Sequence, residues 1–167
     1  MKRLLLVPLL LLLMACPSTS TISLIINLSV SGTINVLKLA DPSLPQATID
    51  TAQNAGNLLI SAYNDYTSAP SASKPGVWPK VQDALAAFQK DLPALIVAAH
   101  ITNPVYVDIA NLVLTEIQSV VNSINGTAPA SSSKKSATLK AANLDASTFK
   151  KAYNQKMATA GHPELKL

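Results

Sequence analysis

Residues 21–40 read TISLIINLSVSGTINVLKLA, and the fold turns on how this stretch is read. Apolar residues at 22, 24, 26, 28, 30, 34 and 36 alternate as they would in a strand. Ile22, Ile25, Ile26, Val30, Val36 and Leu37 also gather near one side of a helix. A hairpin turning at Ser31-Gly32 would be marginal without further strands, and no other segment carries a strand pattern. The stretch is therefore read as a helix, with Gly32 weakening its middle by ~1 kcal/mol.

The segments that follow agree with this reading. Ile49, Ala52, Ala55, Leu59, Ala62, Tyr63 and Tyr66 form a helical stripe, entered through Asp41-Pro-Ser-Leu-Pro-Gln46. Ser43 and Gln46 are spaced as a capping box. Residues 67–76, TSAPSASKPG, read as a loop. Val77, Trp78, Val81, Leu85, Phe88, Leu92, Leu95, Ile96 and Ala99 give a third stripe, in phase across Pro93, so a kink is expected there rather than a break. Asn103-Pro104 opens a fourth, through Ile109, Leu112, Val113, Ile117, Val120, Val121 and Ile124, and Asn125-Gly126 suits a left-handed cap. Asp145 is placed to cap a last helix, with Leu144 and Phe149 as a hydrophobic staple and Ala152, Tyr153, Met157 and Ala160 on its face. The expected fold is all-α: a small antiparallel bundle of about four helices plus a short C-terminal helix. Ala84, Ala87, Ala98 and Ala110 are the expected points of close helix approach.

The chain has 167 residues, which fits one domain. Hydrophobic residues make up 49% and charged residues 13%, which excludes a charge-rich disordered chain. Aromatics are only 4%, so Ala, Val, Leu and Ile must build the core.

The N-terminus gives an address. In MKRLLLVPLLLLLMAC, Lys2 and Arg3 precede an apolar run from Leu4 to Met14. That run is too short for a hydrocarbon core of ~30 Å and has the build of a secretory signal. Leu13-Met14-Ala15-Cys16 resembles the lipobox of bacterial lipoproteins, and the helical layout behind it resembles small helical lipoproteins. The resemblance implies cleavage before Cys16 and lipidation of that residue, the only cysteine in the chain. It further implies a lipid-anchored protein of the bacterial cell envelope, facing the periplasm or exterior. Pro17 stands where an inner-membrane retention signal would have aspartate, which favours the outer membrane in a host with two. The expected organisation is a signal peptide at 1–15, lipidated cysteine and tether at 16–21, and helical bundle at 22–126. A flexible linker at 127–143 and a basic C-terminal helix and tail at 144–167 complete it.

Charge is uneven along the chain. Residues 17–133 hold four lysines and seven acids, whereas residues 134–167 hold seven lysines, Asp145 and Glu164. Lys134, Lys135, Lys140, Lys150, Lys151 and Lys156 are thus the expected contacts to an anionic surface. Arg3 is the only arginine, so a mature chain would have none, which argues against nucleic-acid recognition.

No motif assigns a reaction. His100 and His162 lack a ligand partner at helical spacing, so no metal or other cofactor is expected. Ser-x-x-Lys occurs at Ser71, Ser131, Ser132 and Ser147, without the companion motifs of penicillin-binding proteins. Asp108 and Glu116, like Asp83 and Asp91, read as solubilising acids on a wet face. Trp78 reads as a core plug. The expected role is therefore non-catalytic: a membrane-anchored envelope lipoprotein that binds an envelope protein partner or serves as a spacer. The alternative is a small helical carrier of an apolar ligand.

Overall fold

The computed structural model describes residues 19–129 and 145–167. Five helices follow in order: α1 (Thr19–Ala40), α2 (Gln46–Ser68), α3 (Lys74–Ala98), α4 (Pro104–Asn125) and α5 (Ala146–Thr159). A 3-10 turn, Pro163–Leu165, comes last. The ambiguous stretch is helical, and no strand occurs among the described residues.

α1 is the axle of the bundle. It packs on α2, α3, α4 and α5, while α2 packs on α3, α3 on α4 and α4 on α5. Ile22, Ile25, Ile26, Leu28, Val30, Ile34, Val36 and Leu37 are all buried. A helix enclosed on most sides is apolar on most sides, which is why residues 21–40 fit two periodicities at once. α1 is also long and apolar enough to cross a membrane, yet it lies mostly inside the bundle. Its buried hydroxyls are satisfied within the helix: Ser29 donates to the Ile25 carbonyl and Thr33 to the Ser29 carbonyl, both at 2.9 Å. Val30 faces α2, whereas Gly32 faces Val113 and Tyr153. Ser31, between them in rotation, opens to solvent together with Leu24 and Asn27.

The close approaches are made by glycine. A Cβ on Gly56 would stand 2.5 Å from Val30 Cγ2, and one on Gly32 would stand 3.0 Å from Val113 Cγ2. Of the expected alanines, Ala110 is buried and Ala98 is exposed. Gly32 therefore does more than weaken a helix: it admits α4 and α5 to the axle.

Several local expectations change. Thr19, Ser20 and Thr21, expected as tether, are helical. Ser43 does not cap α2. Pro45, with φ −59° and ψ 139°, stands before the helix, and a residue preceding proline is kept out of helical geometry. The Asp41 carboxylate instead accepts from the Ser43 N–H (2.9 Å) and hydroxyl (2.7 Å). The loop after α2 shrinks to residues 69–73, since α2 runs to Ser68 and α3 begins at Lys74. α3 continues through both Pro79 and Pro93. Proline within a helix costs about 3 kcal/mol, and burial of Val81, Leu85, Phe88, Leu92 and Ile96 offsets it. Gly126 ends α4 in right-handed geometry, φ −65°. Its neighbour Thr127 offers its carbonyl to the Tyr66 hydroxyl at 2.6 Å, so Thr127 belongs to the bundle rather than to a linker. The left-handed positions are His100 (φ 46°) and Gly161 (φ 84°).

Two expected caps hold. The Asn103 side chain accepts from Val105 N–H (3.0 Å), and Asp145 accepts from Ser147 N–H (3.0 Å) and from the Ser147 and Thr148 hydroxyls. Leu144, its staple partner, lies outside the described residues. α5 is part of the core: Phe149, Tyr153 and Met157 are buried, each contributing about 1.5–3 kcal/mol. The C-terminus is strapped on by Asn35 Nδ2 donating to the Leu165 carbonyl (2.8 Å) and by Leu167 N–H donating to Asn154 Oδ1 (2.8 Å).

The glycine contact generates a test. Gly56→Ala improves intrinsic helix propensity, but its methyl meets a β-branched side chain with little rotamer freedom. The variant should lose about 1–2 kcal/mol by denaturant titration. Adding Val30→Ala should make Gly56→Ala nearly harmless in that background. Equal losses in both backgrounds would refute the contact.

Candidate functional site

The residues nominated from sequence fall into three groups. Cys16, Lys134, Lys135 and Lys140 lie outside the described residues, as does the signal segment. Lys150 and Lys151 are exposed on α5. Lys156 is engaged, its ammonium 3.7 Å from the Asp108 carboxylate of α4. The described lysines of α5 therefore split into an exposed pair and one that ties two helices together.

The end of the bundle where α1 begins is built from aromatic rings. Tyr66 meets Trp78 edge-on with centroids 4.9 Å apart, and Tyr63 stands 6.4 Å from Tyr66. All three are buried, and burial raises the Tyr66 phenol pKa. Trp78 is the core plug the sequence suggested. Lys74, at the start of α3, holds its ammonium 5.1 Å from the Tyr66 ring centroid. This lysine belongs to one of the Ser-x-x-Lys matches, with Ser71. At another match, Ser147 is bound to Asp145.

The opposite end carries a line of three polar groups. Tyr106 Oη is 3.0 Å from His162 Nε2, and His162 Nδ1 is 3.0 Å from Glu164 Oε1. The Glu164 carboxyl is held below its ordinary pKa, first by a backbone N–H and then by His162. A carboxylate–imidazole–hydroxyl line can activate a nucleophile, but here the hydroxyl is a phenol and neither groove described below is lined by the three residues. The line fastens the turn after α5 to the start of α4. Its members lie 56 residues apart or more along the chain from Tyr106, so nothing local in the sequence announced it. His100, the other histidine, is exposed, with Nδ1 2.7 Å from the Ala98 carbonyl.

Glu116 departs from expectation. Asp108 is a surface acid, but Glu116 is half-buried, and its Oε1 is buried without a hydrogen-bond partner among the described residues. Burial, helped by the nearby Asp145 charge, pushes its carboxyl up to about 7. Asp145 goes the other way, to about 2, because the Thr148 and Ser147 hydroxyls and N–H groups bind it. Burial likewise raises the Tyr153 phenol pKa; Asn35 is close enough to oppose this, though the hydroxyl makes no well-aligned hydrogen bond.

Two grooves open on the surface. One, of about 290 Å³, lies between α1 and α2, with Asn27, Ser31, Gln53 and Asn57 around Val30, Ile34 and Gly56. The other, of about 550 Å³, lies between α4 and α5, lined by Pro104, Val105, Ala152, Gln155 and Thr159 and by the Asp108–Lys156 pair. Among the described residues, no three His, Cys, Asp or Glu side chains gather as a metal site.

Glu116 sets a pH dependence. Its folded pKa, about 7, exceeds the ordinary 4.5, so the folded state binds the proton more tightly than the unfolded one. Its contribution is favourable at low pH and is lost as pH rises from about 4.5 to 7. Glu116→Gln should thus be more stable than the parent at pH 8 by about 1–2 kcal/mol, below the full linkage value because the group is partly solvated. The gap should close near pH 4.5. Denaturant titrations at the two pH values check this, and a pH-independent gap would refute it. Comparison of the chain with protein-family models, curated proteins and solved structures finds no match in any of the three.

Proposed function

We propose that this protein is a non-catalytic lipoprotein of the bacterial cell envelope, held to a membrane through Cys16 and presenting a helical body at the membrane surface. The observation that carries the reading is the Leu13-Met14-Ala15-Cys16 run behind a charged and apolar leader. Burial of Ile22, six residues after Cys16, supports it: packed chain lies close behind the proposed anchor. Two or three acyl chains anchor stably, at ~0.8 kcal/mol per buried CH₂. The body binds an envelope partner or acts as a spacer, and the outer membrane is favoured where there are two. A carrier of an apolar ligand would use the α4–α5 groove. The ion pair there and the groove's opening to solvent favour the anchored-body reading.

Cys16→Ala should abolish radiolabelled palmitate incorporation and release the protein from the membrane fraction. A variant that still labels, and still pellets after a carbonate wash, would overturn the reading.

Lys134, Lys135, Lys140, Lys150 and Lys151 form the proposed anionic-surface contact, with Lys156 shared between that surface and Asp108. The lipid-free body, without residues 1–16, should bind phosphatidylglycerol vesicles at low ionic strength and lose most of that binding at physiological salt, where screening acts over ~8 Å. Alanine at the first five lysines should remove the binding and leave the helical circular dichroism intact. Binding that ignores salt or survives these substitutions would eliminate the contact.

A further inference from the structure

The anchor reading has a geometric consequence that the folded body decides. The chain between Cys16 and Thr19 can span at most about 11 Å, at ~3.6 Å per residue. Whatever lies level with the start of α1 is therefore held close to the bilayer.

The contact between Gly56 and both Ile26 and Val30 sets the register of α1 against α2. From that contact, α1 runs nine residues back to Thr19, and α2 runs twelve residues forward to Ser68. At 1.5 Å per residue, the end of α2 projects about 4–5 Å beyond the start of α1. The α2–α3 turn, residues 69–73, therefore projects beyond the start of α1. Thr127 is fastened beside it by the Tyr66 hydroxyl. The turn is too close to the anchor to stand clear of the headgroups.

Its composition suits that place. Between Asp65 and Asp83 the chain has no acid and two lysines, Lys74 and Lys80. The turn itself is Ala-Pro-Ser-Ala-Ser, with Pro70, Ser71, Ala72 and Ser73 exposed. The other end of the bundle holds Asp41, Asp108 and Glu164. Asp65, exposed one turn before the end of α2, is matched by Lys74 at the start of α3, so the α2–α3 end carries no net charge to repel anionic lipid.

We propose that the protein stands end-on, with the α2–α3 turn resting on the headgroups of the membrane that holds its anchor and the α3–α4 turn facing away. This rests on the lipoprotein reading, and because it sets the lysine face of α5 along the side of the bundle toward Asp108, the anionic surface met by those lysines would then be an envelope polymer rather than the anchoring membrane. α3 spans 25 residues, so the two turns are about 37 Å apart along its length. The outward end carries exposed Val97 and Val105 around the α3–α4 turn.

The test uses the full, acylated chain. Cys16 is its only cysteine, so once Cys16 carries lipid, Ser71→Cys or Thr102→Cys supplies a single free thiol for a nitroxide label. Both sites are exposed turn residues. Mass spectrometry first establishes the acyl mass on Cys16. Each labelled protein then goes into phosphatidylethanolamine–phosphatidylglycerol vesicles containing a nickel-chelating lipid. The label at residue 71 should relax several-fold faster than the label at residue 102, which should match its value in nickel-free vesicles. Equal relaxation at the two sites, or faster relaxation at residue 102, on acylated protein overturns the orientation and leaves the anchor standing. Absence of the acyl mass overturns both.

Discussion

Burial of α1 on nearly every side is the constraint on which the rest of this structure depends. Such a helix cannot present a polar face to water, so its polar side chains must be few and internally satisfied. Ser29 and Thr33 meet that demand by returning their hydroxyls to carbonyls one turn back. Neighbouring helices must also come near, because an axle of Ile, Leu and Val alone would hold them away. Gly32 and Gly56 provide the room, one on the axle and one on the wall. The remaining exposed strip of α1 is narrow, through Leu24, Asn27 and Ser31, and its one charge is the half-buried Lys38 in the last turn.

With so few aromatic residues, their placement carries weight. Tyr63, Tyr66 and Trp78 fill the end where α1 begins. Tyr66 also joins α2 to the chain leaving α4. Phe149 and Tyr153 fill the side that α5 closes. α5 is therefore a wall of the bundle, although its many lysines made it read as a basic appendage. A lysine-rich helix can bury three large side chains on one face while its charges point outward, and here one of those charges is spent on Asp108.

The functional features divide by how far apart their parts lie in sequence. The proposed anchor is four consecutive residues behind a leader, and such a run is legible because its parts are adjacent in the chain. Glu116 lies on α4 and Asp145 caps α5, and in sequence one reads as a surface acid and the other as a cap, with no link between them. Tyr106, His162 and Glu164 share no local pattern either. Groups like these acquire their pKa values and partners from neighbours that only folding supplies.

Helix number, order and class were written in the sequence, because apolar stripes at helical spacing, Asn103 and Asp145 as caps, and prolines at turns are local signals. The sequence weighed against a lone hairpin at residues 21–40, since no partner strand was visible, but its two periodicities left the stretch ambiguous. Tertiary structure alone decided that this helix sits at the centre. A central helix loses the one-sided periodicity that marks a surface helix, and Ile and Val at so many positions fit a strand pattern equally well. It also decided where helices touch. Gly32 looks like a weakness in one dimension and is a contact in three, because the space a missing Cβ leaves has meaning only when another helix fills it.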